Sequence, residues 1–230
     1  MNQEIPLYIL IPCLNRHEML KNLLVSLGHE PNNIVVVDTG SQPPLKHEFL
    51  SWCHILEYSR DSERNIQKWW NAGLNYIKMM ASARKQLRYD VAILNSDLEL
   101  DKSALYRLQK TLTETNCNVA HPDHSGLLEL GEHIIKKEKG TVPFQEKLTG
   151  YCFMIRQPYS VKFNEDLKWW YGEDDFEWKA RSLGGVARVG CEKVTNLDPG
   201  GSEREIDGIA RQTGLDGQLF YNIWGAWPSQ

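Results

Sequence analysis

The sequence lacks the features that mark disulfide-rich, membrane-spanning or strongly basic proteins. Its five cysteines are odd in number and include no Cys-x-x-Cys pair, so neither a disulfide framework nor a thiolate zinc site is expected. The net charge of −4 gives no overall field that would attract nucleic acid or an anionic membrane. No apolar run approaches the roughly 18 residues of a membrane span, and no basic region precedes an apolar run at the N-terminus. These absences predict a soluble, cytoplasmic protein whose partners are recognised at local sites.

The sequence also lacks a low-complexity linker or an internal repeat that would divide the chain. Its 230 residues, of which 41% are hydrophobic, are enough to form one domain with its own core. We therefore predict a single domain, residues 1–230.

The hydrophobic pattern predicts an α/β fold. In the first half, short and nearly continuous apolar runs alternate with segments of helical periodicity, which is typical of βαβ units in a mostly parallel sheet flanked by helices. The predicted strands of this half are residues 7–11, 34–37, 54–58 and 91–94, and its helices are 17–27 and 65–87. The second half is predicted to contain a helix at 102–115, strands at 117–120, 150–156 and 186–189, and a surface excursion at 131–140.

Polar residues follow three of the predicted strands. They are Pro12-Cys-Leu-Asn-Arg16 after the first strand, Asp38-Thr-Gly-Ser41 after the second and Asn95-Ser-Asp97 after the fourth. Each segment alone is a common turn sequence. In open α/β sheets, however, ligands bind beyond the carboxyl ends of the strands, and there the three segments converge. At that edge Asp38 can accept a hydrogen bond from a base or ribose, and Asp97 can hold a divalent ion against a diphosphate.

Asn95 stands where a metal-binding Asp-x-Asp motif would have its first carboxylate. Mg²⁺ and Mn²⁺ prefer oxygen ligands and need only one or two protein carboxylates when phosphates supply the remainder. The amide oxygen of Asn95 carries no charge and should contribute less to metal affinity than a carboxylate. The pattern therefore predicts a metal site with Asp97 as its carboxylate, while Asp101 is predicted to cap the helix at 102–115.

A second group of acidic residues lies at 173–177, next to the aromatic segment Trp169-Trp170-Tyr171. One interpretation is structural, because acids in the first turn of a helix are favoured by the helix dipole. The other is catalytic, because aromatic faces stack on the C–H faces of sugars and a neighbouring carboxylate can accept the proton of a sugar hydroxyl. The acids are Glu173, Asp174, Asp175 and Glu177.

Taken together, these motifs resemble the nucleotide-sugar-dependent glycosyltransferases of the GT-A fold, especially the inverting family 2 and its rhamnosyltransferase-like members. The resemblance covers most of the chain and implies a Rossmann-like, mostly parallel mixed sheet flanked by helices. It rests on the order of Ile11-Pro-Cys-Leu-Asn-Arg16, Val35-Val-Val-Asp-Thr-Gly-Ser41, Asn71-Ala-Gly73, Ile93-Leu-Asn-Ser-Asp97, Gly150-Tyr151, Gly172-Glu-Asp-Asp175 and Gly200-Gly-Ser202.

The resemblance implies roles for particular residues of this chain on the donor side. Asp97 would bind the Mn²⁺ or Mg²⁺ that carries the donor diphosphate. Many relatives have a histidine before the late Gly-Gly-Ser, and here Asn196 and Asp198 are the candidates to replace it, with Asp198 preferred. The donor nucleotide sugar would be bound by Pro12, Asn15, Arg16, Asp38, Asn71 and Asn95.

The resemblance also implies the reaction. Asp174, within the Glu173-Asp174 pair, would deprotonate an acceptor hydroxyl on the face opposite the leaving nucleotide diphosphate, which inverts the anomeric carbon. Asp175 is the next candidate for the base. The acceptor would lie near Gly150, Tyr151, Trp169 and Trp170. Residues 1–115 would then bind the nucleotide sugar, 116–202 would bind the acceptor and carry catalysis, and 203–230 would form a helical tail.

Other functions compete with this hexosyl- or pentosyltransferase interpretation. A nucleotidyltransferase uses the same acid, metal and phosphate chemistry, but it usually has a Gly-rich basic loop near the first strand, which this chain lacks. A non-catalytic carbohydrate-binding module would use the tryptophans and would need neither Asp97 nor Asp174. The acceptor is open among a carbohydrate, a lipid-linked precursor, a protein and a modified nucleic-acid base, as is the oligomeric state.

Overall fold

An eight-stranded mixed sheet forms the centre of the structure, a computed structural model that describes residues 5–28, 30–59, 63–199 and 208–229. The strands are β1 (Leu7–Cys13), β2 (Ile34–Asp38), β3 (His54–Glu57), β4 (Tyr89–Leu94), β5 (Leu98–Leu100), β6 (Val119–Pro122), β7 (His133–Lys136), β8 (Cys152–Gln157), β9 (Val186–Val189) and β10 (Val194–Asn196). The order across the large sheet is β3-β2-β1-β4-β8-β6-β9-β7. The first four of these strands are parallel, β8 runs antiparallel to both its neighbours, and β5 pairs with β10 in a separate small sheet.

Helices cover both faces of the large sheet. The helices of the described residues are α1 (His17–Leu27), α2 (Lys46–Phe49), α3 (Ile66–Ala83), α4 (Lys102–Thr115), α5 (Gly172–Ser182) and α6 (Ile209–Trp224), which packs against α5. The apolar residues of α1 and α4 pack in one core, and those of α3 and α5 pack in another. Among the described residues, no helix is long and apolar enough to span a membrane.

The alternation of side chains along β1 shows why the sheet has two cores. Ile9 and Ile11 point to the core that contains α1, whereas Tyr8 and Leu10 point to the core that contains α3. All four are fully buried. A strand that is covered on both faces needs an apolar residue at every position, which is the near-continuous pattern seen in the sequence.

Gly73 sets the distance between α3 and β1. A Cβ atom at this position would overlap the side chain of Leu10, so a larger residue would force the helix away from the strand. The close contact holds α3, with Trp69 and Trp70 in its first two turns, directly against the sheet. It therefore positions these two tryptophans near the carboxyl ends of the strands.

The predicted α/β class is confirmed, and the helices at 17–27 and 102–115 have the predicted bounds. Asp101 caps α4 as predicted, since its side chain accepts a hydrogen bond from the Ser103 amide. The helix expected at 65–87 ends at Ala83. The predicted tail contains α6 from Ile209 onward, while 203–207 and the Gly200-Gly-Ser202 motif lie outside the described residues.

Three strands were not predicted. The excursion expected at 131–140 contains β7, an edge strand that pairs with β9. Its side chains are mostly exposed, so the sequence shows no buried apolar alternation there. The two strands of the small sheet were also missed: β5, which directly follows the Asn95-Ser-Asp97 turn, and β10. Three-residue strands are too short to leave a periodic signal.

Candidate active site

A cavity of about 470 Å³ opens beyond the carboxyl ends of β1 and β4. Its walls come from the loops after these strands, from the first turns of α3 and α5, and from the segment before β8. Ten of the residues predicted from the sequence line it: Pro12, Arg16, Asn95, Asp97, Gly150, Tyr151, Trp169, Trp170, Glu173 and Asp198. The tertiary structure thus brings most of the predicted donor, metal, acceptor and catalytic residues into one space.

Asp97 is held in a backbone turn between β4 and β5. The Asn95 amide donates to the Tyr151 carbonyl at 2.9 Å, and the Leu197 amide donates to the Asp97 carbonyl at 2.8 Å. Asp97 is only 2% exposed, and its Oδ1 atom has no hydrogen-bond partner among the described residues. Burial raises the pKa of this carboxyl, and the nearby Arg16 charge offsets only part of that effect.

Arg16 connects Asp97 with Asp198. One guanidinium nitrogen, Nη1, contacts Oδ2 of Asp97, and the other, Nη2, lies 2.9 Å from Oδ2 of Asp198. Asp198 follows β10, so the small sheet carries this second carboxylate to the turn after β4. The two acids that the sequence proposed as metal ligands therefore share one partner.

The donor set of this corner fits a divalent metal ion. Asp97 and Asp198 supply carboxylate oxygens, which Mn²⁺ and Mg²⁺ prefer, and Oδ1 of Asp97 is a buried oxygen without a partner among the described residues. Within the described ranges, no three His, Cys, Asp or Glu side chains form a closed metal cluster. A metal at this position would therefore take its remaining ligands from water and from the phosphates of a bound nucleotide.

Glu173 and Asp174 have different surroundings, although they are adjacent. Glu173 lines the cavity. Asp174 does not, because its carboxylate lies under Lys147, whose Nζ atom is 2.8 Å from Oδ1 and 2.9 Å from Oδ2. Burial and the neighbouring charge of Asp174 raise the pKa of Glu173 to about 7. The carboxylate that faces the cavity is therefore that of Glu173, and not that of Asp174 as expected.

Asp175 and Glu177 serve the packing of α5. Asp175 accepts from Lys179 at 2.6 Å and from the Trp224 indole at 3.1 Å, which ties α5 to α6. Glu177 pairs with Arg181 at 2.6 Å and accepts from the Leu148 amide. Neither side chain lines the cavity. The contacts of these two residues fit the structural interpretation of the acidic segment, and the Asp175 carboxylate does not face the cavity.

Four tryptophans form the aromatic walls of the cavity: Trp69, Trp70, Trp169 and Trp170. Trp69 and Trp169 meet edge to face, with their ring centroids 6.2 Å apart. The Nε1 donor of Trp70 is buried and has no partner among the described residues. Gly150 lies against this ring, because a Cβ atom there would be 3.1 Å from Cη2 of Trp70. The wall therefore combines aromatic faces with a buried indole donor that has no partner among the described residues.

Three residues predicted to bind the donor form hydrogen bonds with neighbouring loops. Asp38 is 2% exposed and accepts hydrogen bonds from the backbone amides of the turn that follows β2. The side chain of Asn15 accepts from the Gln42 amide at 2.7 Å. Asn71 bonds both the amide and the carbonyl of Phe163. The side-chain oxygens of all three accept hydrogen bonds from loop amides, and none of the three lines the cavity.

No role was assigned to Lys147 or His124 from the sequence. Both line the cavity. The His124 ring lies between two hydroxyl groups, with Nε2 2.8 Å from Thr149 Oγ1 and Nδ1 2.5 Å from Tyr151 Oη. Burial lowers the pKa of His124 to about 3, so the imidazole is neutral. No local motif marks these residues, since only the fold brings them to the cavity.

Comparison with known proteins agrees with this geometry. Residues 8–153, more than half of the chain, match the model of "Glycosyl transferase family 2". The chain belongs to glycosyl transferase family 2. No curated protein sequence matches it significantly.

Solved structures share the GT-A fold of this family 2 glycosyltransferase. A crystal structure of S. aureus TarS, residues 1–349, has a TM-score of 0.53 at 16% identity, with 94% of this chain and 69% of that chain covered. A longer TarS structure has a TM-score of 0.55 at 15% identity, covering 95% and 40%. The crystal structure of GalNAc-T7 with UDP, GalNAc and Mn²⁺ has a TM-score of 0.56 at 12% identity, covering 86% and 45%. The chain thus spans less than half of the longer TarS and GalNAc-T7 chains, and at these identities the likeness concerns the fold.

Proposed function

We propose that this protein moves a sugar from a nucleotide-diphosphate donor to an acceptor hydroxyl with inversion of the anomeric carbon. In this proposal Asp97 and Asp198 hold a divalent cation and Glu173 accepts the proton of the acceptor. One observation carries it: a single cavity contains both Asp97, with its unpartnered buried oxygen, and Glu173, with its raised pKa. Such a pairing of a cation site with a candidate base suits a reaction in which a phosphate leaves and a hydroxyl attacks.

The donor side of the proposal rests on the corner of Arg16, Asp97 and Asp198. A leaving nucleotide diphosphate develops negative charge as the bond to the sugar breaks. Mn²⁺ or Mg²⁺, when bound, would neutralise that charge. Arg16 brings a guanidinium, which forms paired hydrogen bonds with phosphate oxygens, into the same corner. We assign residues 1–115 to the donor side for this reason, with Asp198 contributed from the second half.

The catalytic side of the proposal rests on Glu173. The acceptor oxygen forms a bond to the anomeric carbon while the bond from that carbon to the diphosphate oxygen breaks. The hydroxyl proton passes to the Glu173 carboxylate, and the bonding electron pair leaves with the diphosphate. A pKa near 7 suits a group that must be ionised before attack and must accept a proton during it. Asp174, held by Lys147, is assigned the role of positioning that lysine beside Glu173.

The acceptor that the cavity suits best is a carbohydrate. Its aromatic walls offer apolar faces of the kind that stack on the C–H faces of a pyranose. Among the described lining residues, the fully charged cations are Arg16 and Lys147, and each is held in an ion pair. A nucleic-acid acceptor would need unpaired cations along its phosphates.

Transfer assays with defined variants test the proposal. The protein would be incubated with Mn²⁺, a panel of nucleotide sugars and simple saccharide acceptors, and products would be detected by mass spectrometry. We expect the wild type to transfer one of the sugars. Asp97→Asn should weaken the thermal stabilisation that a nucleotide diphosphate with Mn²⁺ provides, whereas Glu173→Gln should keep that stabilisation and lose transfer.

Glu192→Gln is the matched control, because Glu192 pairs with Arg107 and does not line the cavity. It should transfer like the wild type. A wild-type protein that is stabilised by no nucleotide and transfers no sugar would contradict the proposal and favour a carbohydrate-binding module. Release of pyrophosphate from a nucleoside triphosphate would instead favour a nucleotidyltransferase.

A further inference from the structure

The Arg16 guanidinium occupies the place at which a divalent cation would bind. It lies between the two carboxylates that the cation would use, with Nη1 on Asp97 and Nη2 2.9 Å from Asp198. Both contacts go to Oδ2 atoms. The guanidinium therefore occupies carboxylate oxygens that a metal ion would need as ligands.

We propose that Arg16 competes with the divalent cation for Asp97 and Asp198, and that the guanidinium it frees then binds the diphosphate of the donor. This inference rests on the proposed function, which supplies the cation and the diphosphate. The exchange makes the binding of the cation and the binding of the diphosphate depend on each other. The cation is held weakly while Arg16 bridges the acids, and a diphosphate favours the cation by giving Arg16 another anionic partner.

The charges of this corner support an exchange and oppose simultaneous binding. Asp97 and Asp198 share the guanidinium of Arg16, which carries a single positive charge. Oδ1 of Asp97 has no hydrogen-bond partner among the described residues. A divalent cation would balance the two carboxylates alone, but a guanidinium beside it would then repel it. The corner thus suits either Arg16 or the metal ion at any one time.

The backbone of Arg16 allows the side chain to move without unfolding the site. Arg16 immediately precedes α1, and its carbonyl accepts from the Leu20 amide at 2.8 Å, which anchors the main chain. The side chain lines the cavity and is 11% exposed, against 2% for Asp97. Rotation about the side-chain bonds therefore carries the guanidinium from the buried carboxylate into the cavity. There it meets the space proposed for the donor, and its planar fork matches phosphate oxygens.

Mn²⁺ binding by the full chain, measured by electron paramagnetic resonance of the free ion, tests this exchange. We expect Arg16→Gln to bind Mn²⁺ alone about 10-fold tighter than the wild type, within the usual range of coupling between two ligands. UDP, GDP, CDP and ADP would be tested separately. The diphosphate that binds should strengthen Mn²⁺ binding in the wild type and have a much smaller effect in Arg16→Gln.

Arg16→Lys separates displacement from simple repulsion, because it conserves the charge. A single ammonium cannot bridge two carboxylates as the fork does, so displacement predicts that Arg16→Lys binds Mn²⁺ tighter than the wild type. Repulsion alone predicts binding like that of the wild type, and this result would overturn the proposal. Arg107→Gln, which removes a cation outside the cavity, should leave Mn²⁺ affinity unchanged.

The outcome of the Mn²⁺-binding experiment does not depend on whether sugar transfer is detected. Tighter Mn²⁺ binding by both Arg16 variants, with loss of the diphosphate effect, supports the exchange whether or not a sugar donor has been found. Unchanged or weaker Mn²⁺ binding by both variants overturns it, even if the wild type proves to be an active transferase. Circular dichroism checks that each variant is folded. If Arg16→Gln does not fold, the Mn²⁺ affinity of Arg16→Lys alone tests the proposal.

Discussion

Lys147 Nζ lies 2.8 Å from Oδ1 of Asp174, and this contact separates two adjacent acids into different roles. Asp174 is 1% exposed and paired, whereas Glu173 faces the cavity. Both sit in the first turn of α5, so the direction in which each side chain leaves the helix decides which of them meets a substrate. In the proposed mechanism, Glu173 is the base that faces the cavity, and Asp174 and Lys147 form a buried ion pair behind it.

Glu173→Gln should remove transfer and leave the fold intact. Loss of a positioned general base typically costs about 10²- to 10⁴-fold in rate, and we expect a decrease in kcat within that range. Asp174→Asn should instead leave Lys147 charged and buried without its partner, which typically costs about 3–5 kcal/mol in the free energy of unfolding. Steady-state kinetics and urea denaturation measure the two effects. If folded Asp174→Asn is inactive and Glu173→Gln is active, the base is Asp174.

Transfer should rise with pH through the neutral range. Burial and the charge of Asp174 raise the pKa of Glu173 to about 7, and only the ionised carboxylate can accept the acceptor proton. The rate should therefore be low at pH 5 and should increase with a midpoint near 7. The positive charge of Lys147 lowers this pKa, so Lys147→Gln should shift the midpoint to higher pH.

The matched control for this pH profile is Lys110→Gln. Lys110 is exposed and pairs with Glu114 on α4, away from the cavity. Its profile should coincide with that of the wild type. A Lys147→Gln midpoint that is unchanged or shifted to lower pH would contradict the electrostatic coupling of Lys147 with Glu173.

The ion pair of Arg156 with Asp90 should be important for stability. Arg156 Nε lies 2.9 Å from Oδ1 of Asp90, and both side chains are buried between β4 and β8. Arg156→Met would leave the Asp90 carboxylate without its charge partner, at a cost of about 3–5 kcal/mol in the free energy of unfolding. The exposed pair of Lys110 with Glu114 is the comparison, and Lys110→Met should cost no more than about 0.5 kcal/mol. Equal losses in the free energy of unfolding for Arg156→Met and Lys110→Met, measured by denaturant titration, would contradict the greater importance of the buried pair.

Gly73→Ala should destabilise the protein by about 1–3 kcal/mol, because the added methyl group would overlap Leu10 in a packed core. Gly214→Ala provides the control within a helix, since no heavy atom lies within 4 Å of a Cβ atom at that position. There the substitution should be neutral or stabilising by up to about 1 kcal/mol, because alanine is the better helix former. Thermal denaturation of both variants measures the difference. A Gly73→Ala variant as stable as the wild type would mean that α3 can move from β1 at little cost.

Much of the fold was predictable because it is encoded locally. The strands at the centre of the sheet are buried on both faces and leave continuous apolar runs, and α1 and α4 leave clear apolar stripes. The edge strand β7 escaped prediction because its side chains are mostly exposed. The cavity was predictable in outline, since parallel strands bring their carboxyl ends, and the polar turns that follow them, to one edge.

The roles of individual polar residues were less predictable. Asp38, Asn15 and Asn71 have the residue types that bind a nucleotide, but each uses its oxygen or nitrogen atoms to hold a loop. The same side chain can satisfy a backbone amide or a ligand, and the sequence does not show which partner is nearer. For the same reason the sequence could not indicate that Glu173 lines the cavity and Asp174 does not.

The amino-acid sequence by itself determined the α/β class, the helices around the sheet and the set of polar residues at its carboxyl edge, because burial and periodicity are properties of neighbours along the chain. Only the tertiary structure decided which acid faces the cavity. Lys147 covers Asp174 and Arg16 joins Asp97 to Asp198, contacts that span 27, 81 and 182 residues of sequence. Such contacts depend on how the strands and helices pack together, so no local pattern can indicate them.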